Sequence, residues 1–160
     1  MRRLTALFLL AALILCGCSA KVKAPFYYCR SDFQTEPVES IIGSESRDIT
    51  GHEYQLDFLI SLYLLGPSNT DLVSPFPSNV QLQKTQVSGN SLTVFLTNMD
   101  NVSDSRFTVA SACMALTCFN ISHYETLTIV SGNRSLTLDP TMLTLYDSGA
   151  ITETTTGGSL

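Results

Sequence analysis

Basic residues are scarce in this chain. It has nine Lys and Arg against fourteen Asp and Glu over 160 residues. Two of the nine, Arg2 and Arg3, stand at the very start. Clustered Lys and Arg are what neutralise nucleic-acid phosphates or hold anionic lipid, so this balance argues against both kinds of partner. Histidine is almost absent: His52 and His123 are the only two. Neither has a Cys or carboxylate at metal-ligand spacing, so each reads as a surface or loop residue. There is no Gly-x-Ser-x-Gly elbow for a hydrolase nucleophile and no glycine-rich phosphate loop. The expectation is therefore a protein that is not an enzyme and uses no cofactor or metal. No apolar run reaches the roughly 20 residues that a membrane-spanning helix needs.

What is present begins at the N-terminus. Met1-Arg2-Arg3 is a short basic start, and Leu4 to Leu15 is an apolar run of 12 residues. Small residues follow, and the three parts together describe a secretory signal peptide. Leu15-Cys16-Gly17-Cys18 resembles the lipobox of bacterial lipoproteins: a Leu, two small residues, then the cysteine that takes the lipid. That resemblance implies thioether attachment of diacylglycerol at Cys18, cleavage before it, and fatty acylation such as palmitate. Two or three acyl chains, at roughly 0.8 kcal/mol per buried CH₂, hold a protein firmly to a membrane. The alternative is an ordinary signal peptide with a chance cysteine. The expected organisation is a lipoprotein signal at 1–17, the lipidated Cys18 with a tether at 18–25, one domain at 26–148 and a disordered tail at 149–160. The domain is long enough to bury a core unaided.

Hydrophobic periodicity divides that domain. Phe26-Tyr27-Tyr28-Cys29 reads as a strand because aromatic residues suit a pleated, half-buried surface. Val38 to Ile49 is extended at best. Glu53 to Leu65 has Leu56, Leu59 and Leu62 at helical spacing, with Thr50 or Gly51 as its cap and Gly66-Pro67 as its stop. Residues 68–78 form a long loop. Val80, Leu82 and Val87, then Leu92, Val94 and Leu96, give a hairpin turned at Ser88-Gly89-Asn90. A polar break ends at Ser103 or Asp104, either of which would cap a second helix over 105–119. Its broad apolar face carries Val109, Ala112, Cys113, Leu116 and Phe119. Tyr124 to Val130 and the residues around Leu136 and Leu138 read as strands about a turn at Ser131-Gly132-Asn133, with a further edge strand at Met142 to Tyr146. The fold class expected is α+β: a two-layer sandwich with two helices on one face of a small mixed β-sheet, built on a helix-strand-strand-helix-strand core.

Two sets of residues have competing readings. Beyond Cys18, the cysteines Cys29, Cys113 and Cys118 are odd in number. Cys113 and Cys118 lie about 140° apart round a helix and are poorly placed to bridge. All three read as small buried hydrophobes, and a bridge from Cys29 to one of the others is the alternative. The loop Asn98-Met99-Asp100-Asn101-Val102-Ser103-Asp104 carries oxygens that suit a weak Ca²⁺. It lacks the closing Glu and sharp Gly of a calcium loop, so a helix-capping role is the first reading.

Tyr63-Leu64-Leu65-Gly66-Pro67, the loop to Pro75-Phe76-Pro77, and the hairpin around Val87 to Val94 resemble the GerMN domain of sporulation and spore-germination lipoproteins. The later Ala115-Leu116-Thr117-Cys118-Phe119 and Thr126 to Gly132 continue the pattern, although Ala115 stands where that family commonly has a hydroxyl residue. The resemblance spans roughly Tyr54 to Leu138. It implies a fold like the ring-building modules of sporulation secretion machinery, and a non-enzymatic envelope domain of endospore-forming and related bacteria. The expected function is a structural or protein-interaction domain on the extracytoplasmic face of the cell membrane, with envelope proteins as partners. A cell-wall or small-ligand binding module is the alternative, with the 68–78 loop bordering a groove.

Overall fold

The computed structural model describes residues 21–32 and 41–143. The expected signal at 1–17, Cys18 with the first part of its tether, residues 144–148 and the tail at 149–160 lie outside the described residues.

The architecture is α+β, with two helices and two sheets. The elements are β1 (Lys23–Arg30), β2 (Ile42–Asp48), α1 (Leu56–Leu64), β3 (Leu72–Val73), β4 (Leu82–Ser88), β5 (Ser91–Leu96), α2 (Asp104–Ile121), β6 (Thr126–Ser131) and β7 (Arg134–Leu138). A 3₁₀ turn, Pro140–Met142, follows. The helix-strand-strand-helix-strand order is present over 56–131, with the two-residue β3 inside its long loop.

The expectation of a single small sheet is corrected. One three-stranded sheet has the order β2-β1-β3, and a four-stranded sheet has the order β4-β5-β6-β7. Only the second is mixed. Its β5 and β6 run parallel, which requires a crossover, and α2 is that crossover. Two tight hairpins complete it, each turned by a Gly-Asn pair with positive φ at Gly89 and Gly132 only. Gly at the first central position is the type II′ arrangement, whose twist matches that of the flanking strands. At Gly132 a side chain would also collide with Asp100, since a Cβ there would lie 2.0 Å from Oδ1.

The first sheet exists because β1 pairs along its whole length with β2. Lys23, Ala24 and Pro25, expected in the tether, belong to that strand. On the other edge β3 pairs only with Cys29 and Arg30. The rest of that edge faces helices. The Tyr27 N–H donates to Thr117 Oγ1 at 2.9 Å, and the Tyr27 carbonyl accepts from Tyr63 Oη at 2.9 Å. Side chains of α2 and α1 thus satisfy strand groups that would otherwise be buried without partners. Tyr28 and Tyr63 stack with ring centroids 4.9 Å apart, beside the buried Phe26 and Phe76.

Helix α2 is packed by β1 on one side and by β6 and β7 on another. Seven of its residues, Ala110, Ser111, Cys113, Met114, Ala115, Thr117 and Cys118, are fully or almost fully buried. A single apolar face was expected; the helix is instead covered nearly all round. Its many small residues let β1 approach closely. In α1 the buried residues are Leu59, Ile60 and Tyr63. Leu62, expected on that face with Leu59, packs against the core but is half-buried. The helix starts at Leu56 after Gln55, with no side-chain cap from Thr50 or Gly51. Gly66, at φ +90°, ends it as expected.

Candidate functional site

The cysteine expected to carry lipid, Cys18, lies outside the described residues. The two histidines are far apart in role. His52 stacks on Phe58 at 4.1 Å and shares a hydrogen bond with Gln55, while His123 is exposed at the rim of a shallow concavity with Glu53, Tyr54 and Tyr124. Among the described residues no group of three or more His, Cys, Asp and Glu is placed to hold a metal.

The polar loop at 98–104 is organised by an arginine that sequence reasoning did not select. Arg134, at the start of β7, donates to the carbonyls of Met99 (3.2 Å) and Val102 (2.7 Å) and pairs with Asp104 at 2.7 Å. Its guanidinium lies 4.3 Å over the Phe107 ring. Of the side-chain oxygens that suggested a cation, the Asp104 carboxylate faces this guanidinium. Ser103 caps α2, accepting from the Arg106 N–H at 3.3 Å.

A second arginine cluster was also missed. Glu45 and Arg47 are two apart on β2, which puts both side chains on one face. They pair at 2.5 Å with only 10% and 12% of their side chains exposed. Arg47 donates to the carbonyls of Leu62 and Gly66 at the end of α1 and lies over the Phe26 and Tyr28 rings. Glu45 accepts from the N–H groups of Ser68 and Asn69. Burial pushes the Glu45 carboxyl upward, but those donors and Arg47 outweigh it and hold the group below its ordinary 4.5. The Gly66-Pro67 turn is thus fixed from below by β2. The polar Ser-Glu-Ser-Arg alternation was the available signal.

The three cysteines described are free and buried. Cys29 lines a cavity of about 450 Å³ with Val73, Ser74, Pro75, Arg106 and Val109. Residues 73–75 of the 68–78 loop border this cavity.

Among the described residues, the four-stranded sheet has an unpaired edge at β7. Ser131 and Arg134 flank the two-residue turn and so exchange ladder bonds. Alternation then turns the N–H and C=O of Ser135 and Thr137 away from β6. These groups bond to no other described residue. At the opposite edge, β4 packs against α1, and Thr85 Oγ1 bonds Asp57 at 2.5 Å. The outward face beside β7 is a row of hydroxyls, Thr93, Thr128 and Thr137, in register across three strands. Among the described residues no helix is long and apolar enough to cross a membrane.

No family model and no curated protein matches the chain. A solved structure of a "putative lipoprotein" from Clostridium perfringens aligns with a TM-score of 0.39 and 16% identity, over 73% of this chain and 78% of that one. A likeness at that level carries no argument about fold or activity.

Proposed function

We propose that this chain is a lipid-anchored structural module on the extracytoplasmic face of a membrane, working by protein–protein contact and not by catalysis. The observation that supports it best is the β7 edge, unpaired among the described residues and a ready template for a strand from a partner. The Leu15-to-Cys18 box supplies the anchor in this reading, and the GerMN-like series supplies its setting in sporulation or germination. Lipid on Cys18 confines the module and an envelope partner to one surface, which raises effective concentration and compensates for a modest contact.

The test compares pull-downs from cells carrying the parent chain, Cys18→Ala and Ser135→Pro. Proline at 135 removes an outward N–H and leaves the ladder to β6 intact. Cys18→Ala is expected to leave the membrane fraction and lose most of the partner; Ser135→Pro is expected to stay anchored and lose it too. Retention of Cys18→Ala in the membrane overturns the anchor, and full capture by Ser135→Pro overturns the edge. A second reading, a cell-wall or small-ligand binding module, is favoured by the cavity bordered by the 68–78 loop. Binding of a glycan fragment to the purified chain, with no envelope protein enriched, selects it.

A further inference from the structure

Cys29 and Cys113 come from elements 84 positions apart, yet their thiols lie within hydrogen-bonding reach of one another. Two backbone-anchored contacts fix this meeting. Thr117 Oγ1 accepts from the Tyr27 N–H and donates to the Cys113 carbonyl at 2.9 Å. One helical turn back from Thr117 rises about 6 Å, and two strand residues on from Tyr27 rise about 6.6 Å, so Cys113 and Cys29 arrive side by side. Cys113 is wholly enclosed, and Cys29 is 6% exposed at the wall of the 450 Å³ cavity. One thiol of the pair stands at the cavity wall and the other is enclosed. Arg106 lines the same cavity, held there by its Nε bond to the Pro75 carbonyl at 3.0 Å. The third thiol, Cys118, is buried with no such neighbour, and burial pushes it up to about 12.

We propose that Cys29 and Cys113 form a reactive dithiol that takes a disulfide from an external disulfide donor, with Cys29 as the entry thiol and Cys113 as the resolving one. Cys29 thiolate attacks one donor sulfur and expels the other as thiolate, leaving a mixed disulfide on Cys29. Cys113 then attacks the Cys29 sulfur, the donor's remaining thiolate leaves, and the Cys29 and Cys113 protons end on the two released thiols. The protein loses two electrons and two protons, and the donor disulfide gains them. The hydrogen bond from Cys113, with the Arg106 charge nearby, holds the Cys29 thiol below its ordinary value, and the same bond together with burial pushes Cys113 up. That is the division expected of an attacking and a resolving thiol. The product ties β1 to α2 at the residue of β1 that pairs with Val73 of β3.

The experiment uses the full chain in detergent with Cys16→Ser and Cys18→Ser, and oxidised glutathione as the donor. Peptide mapping is expected to find Cys29 linked to Cys113, with two glutathiones released per chain and Cys118 still reduced. Cys113→Ser is expected to stop at one glutathione bound on Cys29, Cys29→Ser to take up none, and Cys118→Ser to match the parent. Mapping on the parent background needs no variant to fold. Thiols that all stay reduced in the folded chain, a link through Cys118, or reaction of Cys29→Ser at Cys113 would each overturn the proposal.

Discussion

Two arginines do the same local task in different surroundings. Arg47 and Arg134 each collect two backbone carbonyls from a chain turn, lie over an aromatic ring, and pair with a carboxylate. They differ in the carboxylate. Glu45 is enclosed, whereas the side chain of Asp104 is fully in solvent. An enclosed pair couples charge to the fold, because removing one partner strands the other without water. A solvent-facing pair is screened and contributes little. The carbonyl bonds, not the ion pair, are what Arg134 supplies to its loop.

The comparison is broken most directly by Arg47→Met, which removes the charge partner of Glu45 and leaves it only the Ser68 and Asn69 N–H groups. Denaturant unfolding is expected to show a loss of about 3–5 kcal/mol, and a loss no larger than that of Arg134→Met would overturn the contrast. Arg134→Met leaves Asp104 in water and removes charge-assisted bonds to two carbonyls, so the same measurement should show about 1.5–3 kcal/mol. A smaller effect sharpens the difference through pH. Since Glu45 is held below 4.5 in the folded chain, its share of stability is present above that pH and is lost as pH falls through the lower folded value. Glu45→Gln should therefore flatten the acid side of a melting-temperature profile, and an unchanged slope between pH 5 and 3 would show that Glu45 contributes nothing there. The smallest effect belongs to Asp104→Asn, which should melt like the parent at neutral pH.

Elements with a strong period were legible before the fold was known. Leu92, Val94 and Leu96 alternate and are buried; Ser88-Gly89-Asn90 and Ser131-Gly132-Asn133 turn the chain; Ser103 caps the second helix. Three readings held only in part. Leu62 matched the helical pattern and packs against the core, but its side chain is only half-buried. The second helix had one visible face because periodicity cannot announce that a separate sheet will cover the other. Met142, where a further strand was expected to begin, instead ends a 3₁₀ turn, since Asp139 Oδ1 accepts from the N–H groups of Thr141 and Met142 and Pro140 starts it well; residues 144–146 lie outside the described residues. The two arginine clusters were invisible for a related reason: each joins residues brought together only by tertiary structure. The contact of Cys29 with Cys113 is of the same kind, although a bridge from Cys29 was among the alternatives open in the sequence.

The capping of β1 also orders events during synthesis. Tyr27 waits for Tyr63, 36 positions later, and then for Thr117, 90 positions later. A ribosome adding residues at about 5–20 per second therefore exposes an incomplete N-terminal sheet for several seconds. Pairings this distant also slow the search once the chain is free. The first described strand is among the last to be finished, so a nascent chain halted before Thr117 carries a raw strand edge that a chaperone or another nascent chain can seize.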